Sequence, residues 1–343
     1  MILALDAMGG DKAPDVNIEG AILAVKQTDN KVILVGNEAV INAQLEKWSE
    51  KYKFPKDKIS VVNATEVIEM GEHPANAARH KKDSSMAVCC KLVSEKKADA
   101  FVSMGNSGAA MAVSLLYLKR IPGVSRPVIS VPFPTINGRC IIVDAGANVD
   151  CKPEHLLQFA IMGNIYAKNV MGIKNPKVAV LSIGEEDTKG NELTLETSNL
   201  LRKTNLNFIG NIEGGDVPKA KADIIVCDGF VGNIFLKTSE GIAEMVSKFV
   251  KNSIKSNPLY WGAAPFLKLA MKKVKKKIDY DDVGGAPLLG VNSPCIIGHG
   301  KSNSKAVKNA LVAAAKFAER NINKKIEEEI NKFLMNKFSM DKI

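Results

Sequence analysis

The 343-residue sequence contains little histidine, and its cysteines lack the spacings of a metal site or a disulfide framework. Its six cysteines form no CxxC pair and no Cys/His ligand pattern. The four histidines are scattered and offer no metal-binding pair; they are His73, His80, His155 and His299. Met1 leads directly into strand-like residues, without the basic and apolar regions of an export signal. We therefore expect a cytoplasmic chain with reduced cysteines and no metal centre.

The common phosphate-binding and nucleophile motifs are also absent. The sequence contains no GxxxxGKS/T, so a P-loop NTPase is not expected. The loop after the first strand lacks the GxGxxG dinucleotide fingerprint, and no GxSxG elbow presents a hydrolase serine. No histidine precedes an aspartate at the five-residue spacing of glycerol-phosphate acyltransferases. If the chain is an enzyme, its site must therefore use other groups.

One long uncharged run requires a membrane test. Residues 100–118, "AFVSMGNSGAAMAVSLLYL", are nearly long enough to cross a bilayer. Their centre, Ser-Met-Gly-Asn-Ser-Gly, would break a lipid-facing helix and leave backbone polar groups unpaired. We therefore interpret the run as a strand, a loop and a helix.

The net charge is +10, from 47 basic and 37 acidic residues. Only six of the basic residues are arginine, and no nucleic-acid-binding motif is present, so we expect no nucleic-acid partner. Attraction to an acidic protein or to an anionic membrane explains the excess. A composition that is simply rich in lysine explains it equally well.

What the sequence does contain is a regular alternation of short β-branched runs with longer amphipathic stretches. Strands are predicted at residues 2–5, 32–35, 59–62, 100–103, 128–131, 140–143, 177–181, 224–227 and 295–297. This alternation predicts a three-layer, doubly wound α/β fold with a mostly parallel sheet. We expect one large domain over residues 1–335, with a protruding basic helical segment at about 250–280 and a tail at 336–343.

Five of the predicted strands end in small, polar, glycine-containing loops. In a parallel sheet such ends gather along one edge and form a cleft, which here would bind an anion. Each loop also has a plain structural interpretation. Asn106 and Asn233 could cap helices, and Lys189 could pair with its acidic neighbours. His299 could be a buried histidine, and Asp6 and Asp144 could only tie down their loops.

Taken together, the loops resemble the bacterial phosphate acyltransferases of phospholipid synthesis. The matching strings include "DAMGGDKAP", "SMGNSGAAMA", "DAGANVDCKPEHLLQFAIMG", "IGEEDTKGNEL", "DGFVGNIFLKTSEG" and "GHGKSNSKAV", in order from residue 6 to residue 307. Met104, Ser107 and Lys301 depart mildly from the family pattern. The resemblance implies a fold related to phosphate acetyltransferases and isopropylmalate dehydrogenases, usually as a homodimer, with no metal and no organic cofactor.

The resemblance also implies an activity and a site. The expected reaction forms acyl phosphate from long-chain acyl carrier protein and inorganic phosphate, without a covalent acyl-enzyme. On this interpretation Lys189 and Asn233 are catalytic and contact phosphate and the carbonyl oxygen. The expected substrate-binding residues are Asp6, Gly9, Gly10, Asn106, Ser107, Gly108, Asp144, Asn148, His299 and Ser302.

A basic, partly aromatic segment, "PLYWGAAPFLKLAMKKVKKKI", spans residues 258–278. An amphipathic helix of this kind lies on an anionic membrane surface. Peripheral association with the inner face of the cell membrane is accordingly expected, although the same lysines could receive acidic carrier protein or a partner subunit. The expected contact residues are Trp261, Phe266, Lys268, Lys272, Lys275 and Lys276.

Two other functions stay open on the sequence alone. One is a phosphate acetyltransferase-like enzyme that uses coenzyme A, or a dehydrogenase of the related fold. The other is a non-enzymatic scaffold that binds lipid or acidic protein. The scaffold leaves the glycine-rich strand ends unexplained, and the dehydrogenase lacks a nucleotide fingerprint.

Overall fold

The computed structural model describes residues 1–256 and 284–340, and its strands form one sheet. The strands are β1 (Ile2–Asp6), β2 (Lys31–Gly36), β3 (Ile59–Asn63), β4 (Ala100–Ser103), β5 (Val128–Thr135), β6 (Gly138–Val143), β7 (Lys177–Leu181), β8 (Asn207–Ile212), β9 (Ile224–Val226), β10 (Ala286–Leu289) and β11 (Cys295–Ile297).

The helices of the described residues alternate with these strands. They are α1 (Asp15–Gln27), α2 (Glu38–Lys51), α3 (Pro74–His80), α4 (Ser85–Ser94), α5 (Ser107–Tyr117), α6 (Pro153–Tyr166), α7 (Glu192–Arg202), α8 (Gly229–Ser256), α9 (Ser304–Glu319) and α10 (Ile322–Met340). A π-helical turn, Ala167–Met171, extends α6, and short 3-10 turns lie at Lys56–Lys58 and Val217–Lys219.

The sheet consists of two parallel blocks joined by antiparallel pairs. Its strand order is β3-β2-β1-β4-β11-β10-β5-β6-β9-β7-β8. The first five strands in this order are mutually parallel, and so are the last four. The pairs β11–β10, β10–β5 and β5–β6 are antiparallel, so the second block runs opposite to the first.

Both faces of both blocks are covered by helices, as the doubly wound prediction requires. In the first block Leu5 packs with α1 and α9, whereas its neighbour Ala4 packs with α4 and α5 on the other face. In the second block Val180 packs with α6 and α10, and Ala179 packs on the opposite side, where α8 contributes Leu236. Since alternate strand residues face opposite sides, nearly continuous Val/Ile/Leu runs bury both faces.

The structure corrects several details of the sequence-based prediction. All nine predicted strands are present and the sheet is mostly parallel, as expected, but β8 and β10 were missed and three strand pairs are antiparallel. The five glycine-rich loops therefore do not follow strands of one direction. Residues 336–340, assigned above to a tail, continue α10. Most of the basic segment, with Trp261, Phe266, Lys268, Lys272, Lys275 and Lys276, lies outside the described residues.

Candidate active site

The polar loops form two groups, one for each parallel block. The first group follows the adjacent strands β1, β4 and β11 and contains residues 7–10, 104–108 and 298–302. The second group follows the adjacent strands β6, β9 and β7 and contains residues 144–148, 227–233 and 182–190. The first group has Lys301 as its one residue of fixed charge, whereas the second group contains several acidic residues and Lys189.

Two buried polar side chains, those of Asp6 and Asn17, hold the Gly-Gly loop (residues 7–10) that follows β1. The carboxylate of Asp6 accepts hydrogen bonds from the hydroxyl of Ser103 (2.7 Å) and from the N–H of Met8 (3.2 Å). The amide of Asn17 on α1 donates to the carbonyl oxygens of Gly9 (2.8 Å) and Ala7 (3.0 Å). Burial raises the pKa of Asp6, opposed by its hydrogen bonds. Asp6 is therefore a support for the loop and does not face solvent.

The same loop can approach its neighbour only because it contains glycine. A Cβ on Gly9 would lie 2.3 Å from Oδ2 of Asp6 and 2.9 Å from the nitrogen of Gly105. Gly10 has a φ of +104°, a conformation that side chains disfavour. The β1 and β4 loops thus lie against each other, and Gly9 and Gly105 are buried at their contact.

The loop after β4 opens into α5. The side chain of Asn106 caps that helix by accepting from the N–H of Ala109 (3.0 Å). Its amide nitrogen donates to the carbonyl oxygens of Met70 (3.0 Å) and Glu72 (3.1 Å). Both ends of this side chain are therefore occupied. The donors left for an anion are the first-turn N–H groups of Ser107 and Gly108, which have no intrahelical acceptor, together with the exposed Ser107 hydroxyl.

The loop after β11 presents an imidazole with a defined orientation. Nδ1 of His299 accepts a hydrogen bond from the N–H of Lys301 (3.1 Å), so a neutral ring carries its proton on Nε2. The ring is exposed, and Nε2–H is thus a donor directed away from the loop. Ser302 is buried, and its N–H donates to the carbonyl oxygen of His299 (2.9 Å). Ser302 therefore stabilises the turn that carries the imidazole.

In the second group, Asp144 and Asn148 form a buried, hydrogen-bonded pair. The carboxylate of Asp144 accepts from the N–H of Asn148 (2.6 Å), from its amide (2.9 Å) and from the N–H groups of Ile129 and Ala147. Burial raises the pKa of Asp144, against the effect of these bonds. Both side chains are buried, so within the described residues their polar atoms hold the loop.

The start of α8 packs directly on the Asp144–Asn148 pair. A Cβ on Gly232 would lie 1.9 Å from the carbonyl oxygen of Asp144, and one on Gly229 would lie 2.8 Å from the nitrogen of Asn148. The close approach brings the amide of Asn233 to Gly146, where an added Cβ would lie 3.2 Å from its Nδ2. Asn233 is exposed on the first turn of α8. Its amide is thus fixed at the surface of the second loop group.

Lys189 lies in a loop in which two of the three acidic residues are paired with other cations. Asp187 binds Arg202, and Glu185 binds Lys221, which also binds the buried Asp216 (2.9 Å). Among the residues that the structure describes, no carboxylate lies within ion-pair distance of the Lys189 ammonium, which is exposed. The simple alternative of a lysine paired with its neighbours is therefore not what is observed.

The charge of the β11 loop acts on α8. The pKa of the Glu244 carboxyl is lowered mainly by its hydrogen bond to Lys248, and the charge of Lys301 adds to this effect. Neighbouring strands twist by roughly 20–25°. Over the six steps from β1 to β9 this average twist amounts to a rotation of about 120–150°. Twist can thus bring together loops that strand direction separates.

The cysteines supply no activated nucleophile. Burial raises the pKa of all six thiols, to about 12 for Cys140, Cys151 and Cys295 and well above the ordinary value for the others. Because the thiolate is the reactive form, these thiols are inert at neutral pH. They behave as small core side chains, five of them buried.

Sequence reasoning missed two buried asparagines that hold the site loops. Asn17 lies on α1 below the Gly-Gly loop, and Asn211 lies on β8 beside the Lys189 loop, to which its amide donates. An asparagine inside an amphipathic helix is the only sequence signal for Asn17. Asn211 gave none, because its strand was not recognised.

The fold is that of the phosphotransacetylases. A solved phosphotransacetylase from Streptococcus pyogenes matches with a TM-score of 0.61 at 18% sequence identity, covering 93% of this chain and 94% of that chain. At this identity the likeness concerns the fold. No helix in the described part of the chain has the length and apolar character required to cross a membrane.

Sequence comparison gives the family. The family model described as "Fatty acid synthesis protein" matches residues 1–325. The phosphate acyltransferase of Endomicrobium trichonymphae is 55% identical over 333 residues, which are 97% of this chain and 98% of that protein. That of Dictyoglomus turgidum is 50% identical over 334 residues, with the same coverage. The chain therefore belongs to the fatty acid synthesis protein family and is an acyl-transferring enzyme.

Proposed function

We propose that this chain transfers a long-chain acyl group from the thioester of acyl carrier protein to inorganic phosphate. The observation that carries the proposal is the Lys189 ammonium, exposed at a strand end and free of the acidic residues around it. Such a cation attracts an anionic substrate. The family membership and the relatives named phosphate acyltransferase support phosphate as the acceptor.

Phosphate needs no enzyme nucleophile to form the product. One of its oxygens attacks the thioester carbonyl carbon, a tetrahedral oxyanion forms, and the C–S bond breaks to release the thiolate. The thiolate takes up the proton that hydrogen phosphate carried, so the products are acyl phosphate and the thiol form of the carrier. The leaving thiol has a pKa of about 8.5, so it departs without strong acid catalysis. The raised pKa values of the six cysteines agree with direct attack.

The proposed roles of the chain are positioning and charge stabilisation. Lys189 binds phosphate and reduces its repulsion from the carbonyl oxygen, and the exposed amide of Asn233 donates to that oxygen as it gains charge. The N–H groups of Gly10, Ser107 and Gly108, and Nε2–H of His299, hold the remaining phosphate oxygens. Asp6, Asn106, Asp144, Asn148 and Ser302 act indirectly, because their polar groups hold the loops.

The partners we propose are acyl carrier protein, a second copy of the chain and an anionic membrane surface. The second half of α8 exposes Ile242, Met245, Val246 and Phe249, at the i, i+3, i+4 and i+7 spacing of one helix face. This apolar face is exposed in the part of the chain that the structure describes, and such a face favours an interface. Sedimentation velocity tests the dimer, and flotation on vesicles with and without anionic lipid tests the membrane.

The enzymatic proposal is tested by measuring acyl phosphate formed from long-chain acyl carrier protein and phosphate. Lys189→Ala and Asn233→Ala should each reduce kcat at least 100-fold, the order of loss seen when one oxyanion donor is removed. Lys203→Ala, which removes an exposed lysine at the other end of α7, should leave turnover unchanged. Near-normal turnover in both site variants would overturn the assignment. Use of acyl-coenzyme A in preference to the carrier would overturn the proposed donor.

A further inference from the structure

A buried amide makes two of the hydrogen bonds that hold the loop carrying Lys189. Nδ2 of Asn211 donates to the carbonyl oxygens of Glu186 (3.0 Å) and Lys189 (3.3 Å). The hydroxyl of Ser182 donates to the same Lys189 oxygen (3.1 Å), and the N–H of Lys189 donates to the Glu186 oxygen (3.0 Å). The backbone at Lys189 is therefore fixed by three separate groups.

The orientation of this amide is itself determined. Oδ1 of Asn211 accepts a hydrogen bond from the hydroxyl of Ser198 on α7 (3.0 Å), and both side chains are buried. With the amide oxygen occupied by a hydroxyl donor, the amide nitrogen must face the loop. A reversed amide would direct Oδ1 at two carbonyl oxygens, which is electrostatically unfavourable.

A β-bulge places Asn211 on the correct face of its strand. Val178 pairs with Phe208, but Val180 pairs with Asn211, so β8 has one extra residue between these positions. Gly210, with a φ of +98°, lies in the bulge. Without it, Phe208 and Asn211 would face opposite sides of the sheet. The extra residue re-aims Asn211 towards α7 and the Lys189 loop.

We propose that Asn211, oriented by Ser198, is a positioning residue that fixes the Lys189 ammonium for phosphate. This inference rests on the proposed function of Lys189. A cation at the end of a flexible side chain binds an anion best when its backbone is immobile, because less conformational freedom is lost. We call the buried pair Asn211 and Ser198 the clamp. It supplies this rigidity without contacting substrate.

The test combines kinetics with a double-mutant cycle. Asn211→Ala and Ser198→Ala should each lower kcat/KM for phosphate about tenfold, a barrier change of about 1.4 kcal/mol. In a Lys189→Ala background the same changes should have less than about a twofold effect, because the ammonium they position is gone. Thr197→Val is the matched control, since it removes from the neighbouring position on α7 a buried hydroxyl that has no hydrogen-bond partner within residues 1–256 and 284–340. It should leave kcat/KM unchanged.

A second measurement keeps the clamp separate from the function of Lys189. Hydrogen exchange of the 183–190 backbone should be at least tenfold faster in Asn211→Ala, with wild-type rates in Thr197→Val. Unchanged exchange, or an equal kinetic loss with and without Lys189, would overturn the positioning role. If Lys189→Ala alone is fully active, the proposed function fails, whereas the exchange result still decides whether the clamp exists.

Discussion

The hydroxyl of Ser103 donates a 2.7 Å hydrogen bond to the buried carboxylate of Asp6, which lies 97 residues away in the sequence. This bond joins the ends of β4 and β1, two adjacent parallel strands. It fixes the two loops of the first group relative to each other. The Gly-Gly loop is thus held by side chains of other elements as well as by its own turn.

Ser103→Ala should destabilise the protein by about 1.5–3 kcal/mol, because it deprives a buried carboxylate of a hydroxyl donor. The measurement is urea unfolding at neutral pH. Ser130→Ala is the matched control, since the Ser130 hydroxyl is equally buried and has no partner among the described residues. It should change stability little or raise it. Equal losses in both variants would show that the Asp6 bond contributes nothing.

Two glycines of α8 should respond oppositely to alanine. Gly232→Ala directs a methyl at the Asp144 carbonyl oxygen and should cost about 1–3 kcal/mol through forced displacement of the loop. Gly241→Ala meets no atom within 4 Å and should stabilise the helix by about 0.5–1 kcal/mol. Thermal unfolding measures both effects. A stable Gly232→Ala variant with normal activity would contradict the close packing of α8 on the Asp144–Asn148 pair.

Asp216 makes stability depend on pH. Hydrogen bonds from Lys221 and Lys219 hold the pKa of its carboxyl well below the ordinary value of 3.8. Because the folded pKa is the lower one, the carboxylate contributes stability above pH 3.8, and this contribution is lost as the pH falls towards the folded pKa. Asp216→Asn should therefore lower the urea midpoint at pH 7, and the deficit should shrink below pH 4. The exposed Asp57→Asn variant should show no deficit. A deficit for Asp216→Asn that is constant over this range would exclude a charge effect.

Asn17→Ala should weaken phosphate binding about tenfold, because it releases the carbonyl oxygens that keep the Gly-Gly loop turned towards α1. Isothermal titration with phosphate measures this without turnover. Gln158→Ala removes a buried amide that bonds Gly123 and Ser125, which do not belong to the Gly-Gly loop. It should reduce stability and leave phosphate affinity intact. Comparable affinity losses in both variants would mean that global destabilisation, and not the loop, is responsible.

Much of the fold could be predicted from the sequence, because β-branched runs and amphipathic stretches report local burial directly. The strand β8 was missed because Asn207, Gly210 and Asn211 interrupt its apolar pattern, and β10 because it contains Pro287. The direction of each strand could not be predicted from the sequence either. It depends on which segments pair across the sheet, and the antiparallel pair of β10 with β5 joins residues far apart in the chain, such as Leu288 and Ile129.

The sequence by itself determined the α/β class, the glycine-rich strand ends and the family, because these follow from local patterns of residue type. Only the tertiary structure showed that the loops form two groups and that Asp144 and Asn148 are buried. It also showed that Lys189 is free of its acidic neighbours while Asn211 holds its backbone. The physical reason is that pairing and burial are relations between distant residues. The partners that neutralise Glu185 and Asp187, namely Lys221 and Arg202, lie on other elements.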